Sequence, residues 1–221
     1  MSAAATVPTS ALPDDWLARL HRRLSRTPEH RPEFWRMGGA SANLLPILRA
    51  QLPAKLRPAA VLLPISEQQG VPRLLLTLRA PHLRQHAGQI SFPGGSLDSS
   101  DEDPLATALR EAHEEVGIEA RYVDPIGFLS DHVVMTGFRI TPIVALLRPG
   151  YTLRIDPAEV AEVFDLPLAT LLDPRSYRLT TRNLRGTDIE LTELHYERHV
   201  IWGATAGILQ SLRELLQEPG P

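Results

Sequence analysis

The chain reads as an α/β protein, a mixed β-sheet held between helices in an α/β/α sandwich. Three features point there: β-prone runs precede one well-punctuated amphipathic helix, further β-prone runs follow it, and a second amphipathic helix closes the chain. Residues 1–12 carry no apolar period and are expected to be disordered, and Asp14–Leu24 reads as a short amphipathic helix with Asp14 or Asp15 near its start. Several prolines and little periodicity over residues 25–56 suggest an extension (1–56) draped on a domain of residues 57–218. Ala59–Ile65 and Arg73–Leu78 are apolar strand-like runs around a turn at Glu67–Gly70, and Tyr122–His132 and Phe138–Leu147 read as two more strands. Glu159–Phe164 reads as a loop and Leu168–Leu172 as a short helix. Tyr177–Leu184 and Asp188–Tyr196 alternate as a hairpin with Gly186 at its turn, and Ala204–Leu216 closes the fold with Ile208, Leu209, Leu212 and Leu216 on one face. No internal repeat is present.

The central helix is the best defined. Asp103 suits the N-cap, Pro104 the first helical position and Gly117 the left-handed position after the last turn. Leu105, Ala108, Leu109, Ala112 and Val116 form an apolar stripe. With Leu105 at zero, Glu114, Glu111 and Glu115 fall at about 180°, 240° and 280° around the axis, so Glu115 borders the core. Carboxylates at i, i+3 and i+4 repel one another by roughly 0.2–0.5 kcal/mol per pair. A divalent cation turns that cost into a binding site. Solvated surface is the ordinary alternative for three glutamates, but Phe92-Pro93-Gly94-Gly95 just upstream lets backbone come close to a ligand. Carboxylates beside an exposed backbone carbonyl make an all-oxygen site, which suits Mg²⁺ or Mn²⁺ rather than zinc.

Composition narrows the classes. Of 221 residues, 43% are hydrophobic, enough for a core, and no window approaches the ~20 consecutive apolar residues that span a bilayer. A net charge of −3 gives no reason to expect general nucleic-acid binding. The absence of cysteine excludes disulfides, thiolate metal sites and a cysteine nucleophile. The first residues lack the basic and apolar regions of a secretory signal and the last are not a peroxisomal address, so the cytoplasm is the expected compartment.

Residues 95–118 resemble a Nudix box, Gly-x5-Glu-x7-Arg-Glu-U-x-Glu-Glu-x-Gly-U with U aliphatic. Arg110-Glu111 and Glu114-Glu115 match. One extra residue lies before Arg110, Ala112 is a small U, and the lone central Glu falls in the cluster Asp101-Glu102-Asp103, leaving open which acid partners Arg110. The preceding run, Leu75-Leu76-Thr77-x-Arg79-Ala80-x3-Arg84-x3-Gly88-x3-Phe92-Pro93-Gly94-Gly95, is similar to the motif of the coenzyme A pyrophosphatase subgroup, which shares the one-residue insertion. The resemblance implies the Nudix fold, hydrolysis of a diphosphate with Mg²⁺ or Mn²⁺, and coenzyme A or a derivative as small-molecule substrate. It also allows a homodimer.

Residue roles follow from the resemblance. Glu111, Glu114 and Glu115, with the Gly94 carbonyl, are the expected metal ligands. Arg110 orients one glutamate or, alternatively, contacts phosphate. Glu159 and Glu162 lie where Nudix enzymes often supply a further acid; read alone, they are equally the exposed acids of a capped turn. Arg79, Arg84, His86 and Gln89 are the expected substrate contacts, cationic and amide donors suited to a phosphorylated ligand. Read alone, Arg79 could cap a strand and His86 be structural. The rival readings are a broader hydrolase of nucleoside-diphosphate derivatives such as ADP-ribose, and a non-catalytic sensor of a coenzyme A-like nucleotide. His113-Glu114-Glu115-Val116 lacks the second histidine of a zinc-protease motif, and neither a P-loop nor a GxSxG elbow occurs.

Overall fold

Strand β1 (Arg57–Gln68) turns at Gln69 and Gly70 into β2 (Val71–Arg79), so the first expected hairpin forms with longer strands than its apolar runs alone mark. The computed structural model describes residues 11–28, 52–184 and 187–217. The expected disorder of residues 1–10, most of the extension (29–51) and the turn at Gly186 lie outside the described residues. β1 runs parallel to β7 (Phe138–Leu147), from Arg57↔Phe138 to Ile65↔Leu146, and antiparallel to β2 from Ile65↔Leu74 to Gln68↔Val71. The sheet is therefore mixed. Beyond their shared end β1 and β2 diverge. The short strands β3 (Ile90–Ser91) and β4 (Gly94–Ser96) fill the opening, β3 against Thr77 and Leu78, and β4 against Ala59–Val61. Pro64, which has no N–H to donate, falls where β1 pairs with neither β2 nor β4. On the far side of β7 lie β5 (Val123–Phe128) and β6 (His132–Val133), and β8 (Val160–Pro167) borders β2.

Alternation along β1 separates two cores. Ala60 and Leu62 face helix α2 (Pro104–Val116), whose Ala108, Ala112 and Val116 are fully buried, together with Leu75, Ile143 and Ala145. Leu63 and Ile65 face the other way. They meet Leu20 of helix α1 (Trp16–Arg23) and Ile208, Leu209, Leu212 and Leu216 of helix α3 (Gly203–Gln217). Each such buried aliphatic side chain contributes roughly 1.5–3 kcal/mol of transfer free energy. α1 is bound to α3 through the Arg19 guanidinium, which donates to the Leu216 carbonyl at 2.9 Å. A separate antiparallel sheet of β9 (Tyr177–Leu184), β10 (Thr187–Tyr196) and β11 (His199–Ile201) contributes Leu194 and Ile201 to the α3 side.

Two expected elements differ. Residues 159–164, read as a loop, mostly belong to β8, because β2 offers an edge from Arg73 to Arg79 with which they pair. Two acids in this run mask the period of two, and tertiary pairing overrides the weak local signal. Tyr122–His132 is not one strand. A 3₁₀ turn covers Ala120–Tyr122, β5 ends at Phe128, and pairing with β7 resumes at His132. The break coincides with a register shift at Pro125–Gly127 and with Ser25, whose N–H and C=O bond Phe128. The short helix at Leu168–Leu172 is 3₁₀.

Candidate active site

The glutamates take the positions that the helical period dictates. The Asp103 side chain accepts from the Ala106 N–H at 2.8 Å, Pro104 opens α2, and Gly117 at φ 76° ends it. Rotation about the axis then sorts the acids: Glu115 is 2% exposed, Glu111 is half-buried and Glu114 faces solvent. Opposite them runs the Phe92–Gly95 turn. The Gly94 N–H donates to Glu115 Oε2 at 3.2 Å, and the Glu111 carboxylate lies over the Gly95 Cα, where an added Cβ would come within 2.3 Å of its Oε1. Gly94 is hemmed in by backbone, its notional Cβ falling 2.4 Å from the Ala60 carbonyl oxygen.

These contacts predict different fates for neighbouring alanine substitutions. Gly94→Ala must displace strand β1 and is expected to destabilise the fold by several kcal/mol. Gly95→Ala meets only the tip of a flexible side chain. It should fold with a melting temperature near wild type while displacing the Glu111 carboxylate, with turnover reduced at least tenfold. Thermal unfolding and a turnover assay on both variants check this.

Arg110 holds the acidic face in order, and its partner among the clustered acids is Asp101. Nε and Nη2 of Arg110 reach the two Asp101 oxygens at 3.1 and 2.9 Å in a bidentate pair. Nη1 donates to Glu111 and Glu114, each at 3.0 Å, and Nη2 also reaches the Ser96 carbonyl. Asp101 further accepts from Thr107 Oγ1 and the Asp98 N–H. The Arg110 hydrogen bonds hold the Asp101 carboxyl well below the usual carboxylate range, and Asp101 in turn raises the guanidinium. The expected orienting role of Arg110 thus has a geometry. Asp101 is the positioning residue that spacing alone did not single out from Glu102 and Asp103.

Burial dominates the electrostatics of the other acids. It pushes Glu115 up to about 8 against the lowering effects of the Gly94 N–H and Arg79, while Glu111 and Glu159 push it higher. Glu111 is raised chiefly by burial as well, in spite of Arg110, with Glu114 and Glu159 adding to the shift. Among the described residues no three acidic or histidine side chains close around a common point. Arg110 holds Glu111 and Glu114, and Arg79 Nη1 stands 3.5 Å from Glu115 Oε1. In chemistry the donor set fits a hard dication: carboxylate oxygens, two of them on groups whose charge the surroundings leave undercompensated.

Structure separates the two remaining acids. Pairing of β2 with β8 shifts register between Leu78 and Arg79, so that Val160 packs toward α2. Beyond the shift, Val163 faces α2 and Phe164 faces the α3 side. Glu162 shares the Phe164 side. It accepts from Arg198 Nη2 at 2.6 Å and lies 3.2 Å from His199 Nε2, whose ring stacks on Phe164 at 3.8 Å. Arg198 above all holds Glu162 below its ordinary range. Glu159, by contrast, sits at the start of β8 in a turn bonded to the end of α2, close enough to raise both Glu111 and Glu115.

The expected substrate contacts divide as well. Arg79 ends β2 beside Glu115, and its Nε is buried without a partner among the described residues. Arg84 and His86 are exposed on the loop of residues 80–89, where His86 Nδ1–H donates to Gln89 Oε1 at 2.9 Å. The loop is pinned at its base by Arg79 N–H to the Gln89 carbonyl and Gly88 N–H to the Arg79 carbonyl.

Comparison with known proteins identifies the family. A family model described as the NUDIX domain matches residues 55–183. A Nudix hydrolase named NudL from Photorhabdus laumondii subsp. laumondii is 45% identical over 161 residues, covering 73% of this chain and 86% of the relative. A NudL from Enterobacter sp. (strain 638) is 43% identical over 156 residues, covering 71% and 81%. Among solved structures, the Nudix hydrolase RenU from M. smegmatis shares the fold at a TM-score of 0.50 and 22% identity, over 73% of this chain and 86% of that one. No helix among the described residues is long and apolar enough to cross a membrane. With the box residues gathered on α2 and the family model spanning more than half its length, the chain belongs to the Nudix hydrolase family.

Proposed function

We propose that this Nudix hydrolase cleaves the diphosphate of coenzyme A or a derivative, giving 4′-phosphopantetheine (or its acyl form) and adenosine 3′,5′-bisphosphate. The observation that carries the reading is the placement of Arg79. The first arginine of the subgroup-like pattern stands 3.5 Å from Glu115, so the loop that follows it and the Nudix box border one site. Arg84, His86 and Gln89 on that loop are the groups offered to a phosphorylated ligand, and an arginine there suits the 3′-phosphate that coenzyme A carries besides its diphosphate. Glu111, Glu114 and Glu115, with the Gly94 carbonyl, would hold Mg²⁺ or Mn²⁺. Such ions, when bound, neutralise the diphosphate oxygens and acidify water.

The protein's own groups supply the rest. Arg110, fixed by Asp101, sets the directions of Glu111 and Glu114. Arg79 presents a guanidinium at the edge of the carboxylates, where it can meet a phosphoryl oxygen. Glu159 is the base, taking a proton from the attacking water; the contacts of Glu162 with Arg198 and His199 favour Glu159 over it for that step. Incubation with coenzyme A and Mn²⁺ should yield 4′-phosphopantetheine and adenosine 3′,5′-bisphosphate by chromatography. Brisk turnover of ADP-ribose with none of coenzyme A would overturn the substrate while leaving the family untouched.

A further inference from the structure

The turn that carries Glu159 is suspended between two parts of the site. On one side it is strapped to the end of α2: the Arg154 and Asp156 N–H groups donate to the Val116 and Glu115 carbonyls, both at 2.9 Å. Within the turn, Ala158 N–H donates to Asp156 Oδ1, and the Glu159 and Val160 N–H groups donate to the Asp156 carbonyl. On the other side it meets the loop of residues 80–89. There the Ala80 N–H donates to the Glu159 carbonyl at 2.8 Å, and His82 Nε2 lies 3.0 Å from the Ala158 carbonyl. A carbonyl only accepts, so His82 is the donor through Nε2–H.

We infer that His82 is a positioning residue for Glu159: its Nε2–H fastens the arginine-bearing loop to the 156–160 turn, so that the loop which receives substrate also sets the place of the base. This rests on the proposed reading of Glu159. The backbone bond from Ala80 is by itself a single link between the loop and the turn. The side-chain bond, made two residues along the loop and to the neighbouring carbonyl, adds a second link and fixes the angle at which loop and turn meet. His82 itself is exposed and lies outside both cores, so its removal takes away little packing.

Three variants test it on the full chain, with whichever diphosphate the protein turns over fastest. His82→Phe keeps a ring and loses the donor, whereas His82→Gln loses the ring and keeps an N–H at the reach of Nε2. His82→Phe should lower kcat about tenfold with KM within twofold, and should speed hydrogen exchange at the Ala80 amide of the metal-free protein at least tenfold. His82→Gln should stay within twofold of wild type in both measurements. Unchanged exchange at Ala80 in His82→Phe, or a glutamine variant as impaired as phenylalanine, overturns the inference. Glu159→Gln is run alongside. If that variant keeps full turnover, the base assignment fails, and the exchange measurement still decides the tether separately.

Discussion

Replacing Glu115 by glutamine is expected to raise the melting temperature of the metal-free protein and to remove its turnover. The two effects have one cause. Glu115 is 2% exposed, and burial pushes its carboxyl up to about 8. A carboxyl with a folded-state pKa above its unfolded value, near 4.5, favours the native state fully only below that lower value. The contribution is lost as pH rises through about 8. At pH 7 the loss is roughly 3 kcal/mol by the conversion of about 1.4 kcal/mol per pH unit between the two states. Glutamine keeps an oxygen for the Gly94 N–H and carries no charge to desolvate. For a chain of this size the gain corresponds to a rise of about 5 °C or more. It should shrink toward zero as pH falls below 4.5, where the wild-type carboxyl is neutral in both states. Turnover should meanwhile drop by orders of magnitude, because the oxygen set loses its most buried charge, and Glu114→Gln should also lose turnover without the gain in stability, since Glu114 faces solvent. Scanning calorimetry in chelator at several pH values, beside a turnover assay, checks both arms. A less stable Glu115→Gln, or an active one, would sink the account.

That division between a costly buried acid and a cheap exposed one was legible in the sequence, and the reason is local. Asp103, Pro104 and Gly117 punctuate α2 within its own length, and a period of 3.6 then fixes which glutamate turns inward. Partners chosen by loops were not legible. Asp101, Glu102 and Asp103 are equally acidic neighbours. Asp101 alone reaches Arg110, because the 98–101 turn folds its carboxylate back beneath the Asp98 N–H and Thr107. Long-range contacts were beyond reach for the same reason. Arg79 meets Glu115 across 36 residues and His82 meets Ala158 across 76, contacts set by how strand, helix, loop and turn pack together rather than by local sequence. The β8 run failed as a loop because its acids hid an edge strand, and with that error went the facing of Glu162.

Glu159→Gln and Glu162→Gln should therefore separate cleanly, although the sequence offers the two acids three residues apart as equals. A helical turn would have placed them on one face. The strand, with its register shift at Arg79, instead places Glu162 on the Phe164 side, across the sheet from α2. There its carboxylate is occupied by Arg198 and His199 and is held in the charged form by Arg198, so it has neither access to the water nor the basicity the step needs. Glu159 is exposed, its turn is bonded to both α2 and the arginine loop, and its charge is felt by Glu111 and Glu115. Loss of a general base costs about 10²–10⁴-fold. Glu159→Gln should lose turnover on that scale with an unchanged melting temperature. Glu162→Gln should keep kcat within about twofold and lose only stability, by roughly 1 kcal/mol or less, since Arg198 is largely exposed. Steady-state rates and thermal unfolding of both proteins decide the matter. A silent Glu162→Gln beside an active Glu159→Gln would mean that the base acts from the α3 side of the sheet, and that the carboxylates of α2 do not face the reacting phosphorus.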